Sequence, residues 1–384
     1  MRLLFVTGSL VHGGAERHTI TLANRLAERG HECHLAYVKN DPSQLERLRG
    51  AESVRCLNAG RYLDLRSLLE LKDFIGKLKP THIVAANQYA LMYAWLAARG
   101  TRPRAWLAAT FHTTALARAA DRVKMLWYRP LFWTTDRLVF VCEAQRRYWA
   151  ERRVSGRRTE VIHNGIDTGH WAPVPERTRR AVRRALGIGE RELVVGMSAV
   201  LRPEKNHVQL VEAVAALRRR GLPVRALLIG DGPTRPAIEA RSRRLGLEDH
   251  VLITGLQRDV RPLVGACDAV ALCSTAVETF SLAALEAMAL GKPVVQSDIG
   301  GAAEMTQPGH DGFLFPPGDT RALIERLAAL ADPAARERMG ANARAAVEAR
   351  FTEKSMIDRY EQTLNELDAE RSKSGDVRKA AGAH

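Results

Sequence analysis

The stretch DAVALCSTAVETFSLAALEAMALGKPVVQSD, residues 268–298, decides the fold class that this sequence predicts. Residues 269–273 and 293–296 are short apolar runs, which are typical of buried strands. Between them, residues 282–290 are rich in Ala, Leu and Met and predict a helix that Ser281 caps. Gly291, followed by a proline, ends this helix. The order strand, helix, strand recurs along the chain and predicts an α/β fold.

Two carboxylates lie on either side of the predicted helix start. Glu278 is in the loop, and Glu286 follows just over a turn into the helix. Backbone N–H groups and the helix dipole make such a helix start a seat for a diphosphate, and the carboxylates can accept hydrogen bonds from sugar hydroxyls. This would suit a nucleotide-sugar. On spacing alone, an ordinary solvated Glu pair is the more frequent explanation of such a short motif.

The segment ETFSLAALEAMALGKPVV resembles the Glu-x7-Glu signature of the family 4 retaining glycosyltransferases, usually EGFGLxxLEAMAxGxPVV. Thr279 and Ser281 stand where the family has two glycines. The resemblance implies the GT-B fold, with two Rossmann-like α/β domains facing a central cleft. It extends through most of the chain and favours a nucleotide-sugar site over a solvated Glu pair.

Composition sets bounds on the class of protein. A chain of 384 residues predicts two domains, and 46% hydrophobic with 26% charged residues is typical of a soluble protein. The opening MRLLFVTGSL is too short an apolar run for a signal peptide, and no later run approaches the roughly 20 residues of a membrane span. Five scattered cysteines predict buried thiols in a reducing cytoplasm.

The net charge of +15 predicts an anionic partner, with nucleic acid, anionic lipid and phosphorylated substrates as candidates. Part of this charge also reflects a general bias towards Arg and Ala. Residues 115–135 interleave aromatic and basic side chains, and an arginine-rich run follows at 143–158. This pattern suits a helix lying on an anionic membrane surface, but packing of the aromatics against a sheet and a solvated basic face explain it equally well.

In the first half of the chain, a glycine-rich loop, GSLVHGGAE, separates the first strand from the first helix. It is not GxGxxG, so it supports a dinucleotide site poorly. His112 falls just past a predicted strand at 105–110, where open α/β sheets place ligand groups. The resemblance implies that Gly13 and Gly14 lie near the donor phosphates and the acceptor, that His112 lies beside the transferred sugar, and that HNGID, with Asn164, is the family's NGxD motif.

In the second half, Lys205 precedes a predicted helix for which Asn206 is a candidate cap, and it can neutralise a diphosphate. A surface Lys–Glu loop is the alternative. The family usually has an arginine five residues earlier, where this chain has Val200, and Arg202 is a candidate replacement. The resemblance places the base-binding loop at residues 255–257, which would contact the base mainly through backbone.

The predicted domains are an acceptor-binding domain at 1–170, a linker at 171–190 and a nucleotide-sugar-binding domain at 191–350. A helix at 351–367 is expected to cross back to the first domain, and residues 368–384 are expected to be a disordered tail. The resemblance implies catalytic roles for His112, Lys205 and Glu278; donor binding by Gly13, Gly14, Arg202, Lys205, Gly255, Leu256, Gln257, Glu278, Phe280, Ser281, Leu282 and Glu286; and acceptor binding by Gly14, His112 and Asn164.

The resemblance implies a retaining glycosyltransferase that moves a hexosyl-type sugar from a nucleoside-diphosphate sugar to a hydroxyl group. Because the chain contains no D-x-D, we expect Lys205 and the helix that follows Ser281 to stabilise the diphosphate in place of a metal, without any cofactor. The alternatives are a sugar-nucleotide epimerase or hydrolase of the same fold and a basic nucleic-acid-binding protein, for which the sequence lacks a recognition motif.

A UDP-sugar is the expected donor and GDP-mannose the next. The expected acceptor is a lipid-linked molecule, a polysaccharide precursor or another glycan. Nucleic acid is not an expected partner. The expected location is cytoplasmic, with peripheral contact to the inner face of the plasma membrane.

Overall fold

The computed structural model describes residues 1–11, 13–113, 119–276 and 278–381 of the chain. The chain divides into two compact units, one formed by Met1–His163 with Lys354–His384 and the other by Asn164–Glu353. In both units, parallel strands alternate with helices, which confirms the predicted two-domain α/β organisation.

Among the described residues, the sheet of the first unit has seven parallel strands in the order β3-β2-β1-β4-β5-β6-β7. The five inner strands are buried on both faces, which favours apolar sequences, whereas the two edge strands are partly exposed. The strands are β1 (Arg2–Thr7), β2 (Glu32–Tyr37), β3 (Ser53–Cys56), β4 (His82–Ala86), β5 (Trp106–Phe111), β6 (Arg137–Phe140) and β7 (Thr159–Val161).

Helices cover both faces of this sheet. One face carries a core with side chains from α2, α3, α4 and α5, and α1 packs on the other face. The helix at 65–78 and the strand at 82–86 follow from local sequence, because Asp64 caps the helix and Pro80 ends its pattern. The helices are α1 (Gly14–Glu28), α2 (Leu65–Leu78), α3 (Asn87–Ala98), α4 (Ala119–Trp133) and α5 (Glu143–Glu151).

The second unit has, in its described part, a six-stranded parallel sheet of order β10-β9-β8-β11-β12-β13. Its strands are β8 (Leu193–Ser198), β9 (Val224–Ile229), β10 (Val251–Ile253), β11 (Ala269–Leu272), β12 (Val294–Ser297) and β13 (Gly312–Phe315). Its helices are α6 (Glu176–Ala185), α7 (His207–Arg219), α8 (Arg235–Arg244), α9 (Arg261–Ala266), α10 (Leu282–Ala289), α11 (Ala302–Met305), α12 (Thr320–Ala328) and α13 (Pro333–Arg350).

The predicted linker at 171–190 is wrong. This segment belongs to the second unit and contains α6. The buried Arg183 explains why, because its Nη1 donates to an oxygen of Asp268 at 3.1 Å. The same carboxylate accepts the backbone N–H of Val194 at 2.7 Å. The arginine-rich segment predicted as a linker is thus bound to the sheet, and the boundary falls at His163/Asn164 rather than at residue 170.

The last helix returns to the first unit, as predicted. This helix, α14 (Glu353–Ala381), buries Met356, Ile357, Tyr360 and Leu364 in the core on the α1 face of the first sheet. It is longer than predicted: the sequence indicated an end at 367 and a disordered tail, but the backbone stays helical to Ala381. Residues 382–384 of the predicted tail lie outside the described residues.

Candidate donor and sugar site

The loops that carry the predicted donor-binding residues of the second unit follow three strands of its sheet. Lys205 and Arg202 follow β8, Gln257 follows β10, and Glu278 follows β11. Because all these strands are parallel, the loops meet at the carboxyl edge of the sheet, where α/β proteins bind ligands.

Lys205 and Glu278 form an ion pair across two of these loops. The Nζ of Lys205 lies 2.5 Å from Oε2 of Glu278, and the same carboxylate oxygen accepts the hydroxyl of Ser274 at 3.0 Å. The backbone N–H of Thr275 also donates to the carbonyl of Glu204 at 3.0 Å. The structure therefore brings the predicted cation and the predicted carboxylate together at one place.

The helix start beside this pair is built as the sequence predicts. Oγ of Ser281 accepts the backbone N–H of Ala284 at 3.3 Å, which confirms Ser281 as the cap of α10. Glu286 is buried within α10, with 4% of its surface exposed. Positive charge from Lys205 and the partial positive charge of the α10 N-terminus thus occupy neighbouring loops.

Phe280 and Asn164 support the loop before α10. The ring of Phe280 is buried and meets the ring of Phe351 with centroids 5.3 Å apart. Nδ2 of the buried Asn164 donates to the carbonyl of Phe280 at 2.9 Å. Asn164 thus belongs to the second unit and holds the loop before α10, while its predicted contact with the acceptor stays a prediction.

Gly300 allows a second segment to approach this loop closely. Its φ is +58°, and a Cβ placed there would lie 2.2 Å from the carbonyl oxygen of Glu278. Its neighbour Gly301 donates its N–H to the carbonyl of Thr279 at 2.7 Å. The positive φ and the close approach to Glu278 explain why residue 300 is a glycine, and the N–H of Gly301 adds a hydrogen bond to the same loop.

The loop after β8 also contains Val200, at the position where the family usually has an arginine. Arg202 precedes a short 3-10 turn, Pro203–Lys205, and its side chain is exposed. Its role as the replacement cation stays a prediction. Asn206 is the N-cap residue of α7, as predicted, but its side chain caps no backbone N–H and donates instead to Oε1 of Gln209 at 3.0 Å.

The predicted base-binding loop presents an apolar side chain. Gly255 has φ +71°, and the next residue, Leu256, is 72% exposed. Nε2 of Gln257 donates to the carbonyl of Thr254 at 2.7 Å. Gln257 thus uses its amide to hold the loop, and the contact of this loop with a base stays a prediction.

In the first unit, the glycine loop opens α1 at Gly14, with Gly13 as its N-cap. The buried Gln44 holds this loop, since its Nε2 donates to the carbonyl of Val11 and, at 3.4 Å, to the carbonyl of Gly13. Gln44 has no local sequence signal, because its contacts are over 30 residues away in the chain. His12 lies outside the described residues.

His112 is held beside a second, buried histidine. Its backbone N–H donates to Oδ1 of Asn87 at 2.9 Å, and its ring centroid lies 4.7 Å from that of His18. Burial lowers the pKa of His112 to about 4, so the imidazole is neutral at pH 7. Burial also lowers the pKa of His18, whose other ring neighbour is Tyr360 on α14. The sequence argument missed Asn87 and His18, although Asn87 directly follows a strand.

The aromatic residues of α4 separate into two groups. Tyr128 and Phe132 are buried in the core of the first unit, as packing on the sheet requires. Trp127 is 82% exposed, and Val123 and Leu126 of the same face are also exposed.

Residues 115–118 of the segment 115–135, for which the sequence suggested a membrane-surface helix, lie outside the described residues. None of the helices in the described part of the chain is long and apolar enough to cross a membrane.

One group of side chains in the described ranges has the composition of a metal site: Glu32, His34 and Glu52. Its location argues against a role with the donor, because Glu32 and His34 start β2 at the edge opposite to His112. Glu32 is also engaged by Arg2, with Nε and Oε1 2.7 Å apart.

Two family models match the chain. Residues 12–170 match the model described as Glycosyltransferase Family 4, and residues 178–346 match Glycosyl transferases group 1. Together they span most of the sequence. The chain therefore belongs to the family 4 glycosyltransferases, and its two parallel-sheet units are the Rossmann-like domains of a GT-B fold.

Named relatives agree with this membership. The chain is similar to N-acetyl-alpha-D-glucosaminyl L-malate synthase from Bacillus anthracis, at 30% identity over 53% of this chain and 52% of that protein. It is similar to the lipopolysaccharide core biosynthesis glycosyltransferase LpsD from Rhizobium meliloti, at 26% identity over 91% and 94%. The first of these matches spans only about half of the relative's length.

Among solved structures, the chain resembles HepE from Anabaena in complex with UDP-glucose. The TM-score is 0.84 at 25% identity, and the match covers 95% of this chain and 100% of HepE.

Proposed function

We propose that this protein transfers a hexosyl-type sugar from a UDP-sugar to a hydroxyl group of a lipid-linked, polysaccharide or other glycan acceptor, with retention of the anomeric configuration. The observation that carries the proposal is the Lys205–Glu278 pair beside the N-terminus of α10. Family membership and the resemblance to HepE, whose structure contains UDP-glucose, support the class of donor.

Breaking the bond between sugar and diphosphate places negative charge on the leaving group. Lys205 and the backbone N–H groups that open α10 are suited to stabilise this charge. No D-x-D occurs in the sequence, so these groups would act without a divalent metal. Glu278, which already accepts hydrogen bonds from Lys205 and Ser274, is suited to accept one from a sugar hydroxyl.

For His112 we propose a hydrogen bond to a hydroxyl of the transferred sugar or the acceptor. A pKa of about 4 keeps this imidazole neutral at pH 7. A neutral ring suits a reaction in which positive charge develops on the sugar, because an imidazolium would repel that charge.

Calorimetric titration with UDP, GDP and ADP, each in EDTA, tests both the preferred nucleotide and the need for a divalent metal. We expect UDP to bind with a Kd of about micromolar size and the other two at least about tenfold more weakly. Transfer from UDP-glucose or another UDP-sugar should then proceed in EDTA, with an axial product bond seen by NMR.

Preference for GDP, or a requirement for Mn²⁺, contradicts this proposal. Release of UDP without transfer to any acceptor would instead support a hydrolase or epimerase, and inverted product stereochemistry would contradict retention.

We also propose that the exposed face of α4, defined by Val123, Leu126 and Trp127, docks the first unit on an anionic membrane. Three neighbouring large apolar side chains that are exposed to water favour burial in a membrane surface. The exposed Lys124, between Val123 and Leu126 in sequence, adds a positive charge to this face. The net charge of +15 adds attraction to anionic headgroups.

Co-sedimentation with vesicles tests this docking. We expect binding to phosphatidylglycerol vesicles at low salt and little binding to phosphatidylcholine vesicles. Trp127→Ser should weaken binding by about tenfold, because the variant lacks the tryptophan side chain that the lipid would bury. Val54→Ser, which alters an exposed residue of β3, is the control and should bind as the wild type does. Binding that ignores both lipid charge and salt would contradict the proposal.

A further inference from the structure

A second group of exposed apolar side chains lies between β3 and the second turn of α2. Tyr62, Leu63, Leu65 and Leu69, here called the 62–69 surface, are 54%, 55%, 68% and 56% exposed. Leu65 and Leu69 are four positions apart and therefore share one side of α2. Four large apolar side chains within eight positions exceed the isolated exposure that is normal for a protein surface.

The loop that carries this surface is held in place by hydrogen bonds. The hydroxyl of the buried Tyr93 accepts the N–H of Asp64 at 2.9 Å and donates to the carbonyl of Tyr62 at 3.3 Å. The carboxylate of Asp64 accepts the N–H groups of Ser67 at 3.1 Å and Gly60 at 3.2 Å. The apolar side chains are thus presented by an ordered loop, and preorganisation of this kind lowers the entropic cost of binding.

Aromatic rings connect this surface to the carboxyl edge of the first sheet. The ring of Tyr62 lies 5.0 Å from that of Tyr89, centroid to centroid. The Nζ of Lys39 lies 5.6 Å from the centroid of Tyr89. The backbone N–H of Lys39 donates to the carbonyl of Gly8 at 2.9 Å, so this cation stands where β1 and β2 end.

Tyr89 also lies close in sequence to the residue that positions His112. Asn87, two residues earlier at the start of α3, accepts the backbone N–H of His112. Within the first unit, ring contacts therefore connect the apolar surface through Tyr62 and Tyr89 to Lys39. Tyr89 lies two positions after Asn87, which holds the loop of His112.

We propose that the 62–69 surface binds the apolar chain of an amphiphilic acceptor whose anionic group lies beside Lys39. The acceptor hydroxyl would then lie towards His112. This inference rests on the proposed function and specifies its acceptor as a lipid-linked molecule rather than a free glycan or a small polar alcohol.

The chemistry of the surface selects this class of ligand. A free glycan would stack on Tyr62 but would find no hydrogen-bonding groups on the three leucines, which favour a hydrocarbon chain. A cation held against the Tyr89 ring suits a phosphate or another anion next to that chain.

Titration with decyl phosphate, kept below its micelle concentration, tests the inference directly. We expect wild-type protein to bind decyl phosphate at least about tenfold more tightly than ethyl phosphate. The double variant Leu63→Ser/Leu65→Ser should lose about tenfold in affinity for decyl phosphate, since two side chains lose their contact with the chain. Both residues are exposed, so the fold should be retained. Lys39→Ala should weaken binding of decyl phosphate but not of the neutral decyl maltoside.

Val54→Ser is the matched control, and an equal loss there would show general adsorption of amphiphiles and overturn the inference. Unchanged affinity in the double variant would also overturn it. If the double variant lost binding to phosphatidylglycerol vesicles but kept its affinity for decyl phosphate, the surface would contact the bilayer instead. UDP titration of the same variants is a separate readout: absence of UDP binding by wild-type protein would contradict the donor proposal, whereas the decyl phosphate result reports on this surface alone.

Discussion

Lys205→Ala is expected to lower kcat for sugar transfer by about 10²–10³-fold, the usual cost of removing one group that stabilises a leaving anion. The reason is electrostatic, because the ammonium group lies in the loop next to the N-terminus of α10 and pairs with Glu278 at 2.5 Å. Steady-state kinetics with a UDP-sugar measure the change, and calorimetry with UDP separates weaker donor binding from slower chemistry.

Two further variants make this result interpretable. Lys205→Arg keeps the positive charge and should retain more activity than the alanine variant. Lys354→Ala removes a comparable lysine–carboxylate pair, Lys354–Asp358 at 2.8 Å, on the exposed surface of α14, and should act as wild type does. Activity of Lys205→Ala within about twofold of wild type would show that this lysine does not stabilise the leaving group.

Gly300→Ala is expected to lower the free energy of unfolding by about 2–5 kcal/mol and to abolish most transfer activity. Two costs add at this position. A left-handed backbone disfavours any side chain, and the new Cβ would lie 2.2 Å from the carbonyl oxygen of Glu278 and 2.7 Å from that of Thr279. The loop before α10 must then shift, and this loop carries the Glu278 carboxylate that pairs with Lys205.

Gly309→Ala separates the two costs. Gly309 also has a positive φ, +78°, but nothing lies within 4 Å of a Cβ placed there. This variant should lose only about 1–2 kcal/mol, the cost of the backbone conformation, and should keep its activity. Urea unfolding and UDP titration measure both effects. Equal losses of stability and of UDP affinity in the two variants would show that Gly300 does not support the loop before α10.

The sequence by itself determined the elements whose signals are local. The Ser281 cap follows from residues within a few positions of one another, and the structure confirms it. The helix at 65–78 and the strand at 82–86 depend on local sequence in the same way. The same holds for the alternation of strands and helices, from which the α/β class follows. It also holds for His112, placed just past β5.

Only the tertiary structure decided which polar and aromatic side chains are buried. Arg183 lies in the segment predicted as a linker but pairs with Asp268, 85 positions away in the chain. Tyr128 is buried, whereas its neighbour Trp127 is exposed. Asn164 supports the carbonyl of Phe280, 116 positions away. Propensity and capping act over one or two helical turns, whereas burial depends on which distant segments pack together, and a single sequence does not show this.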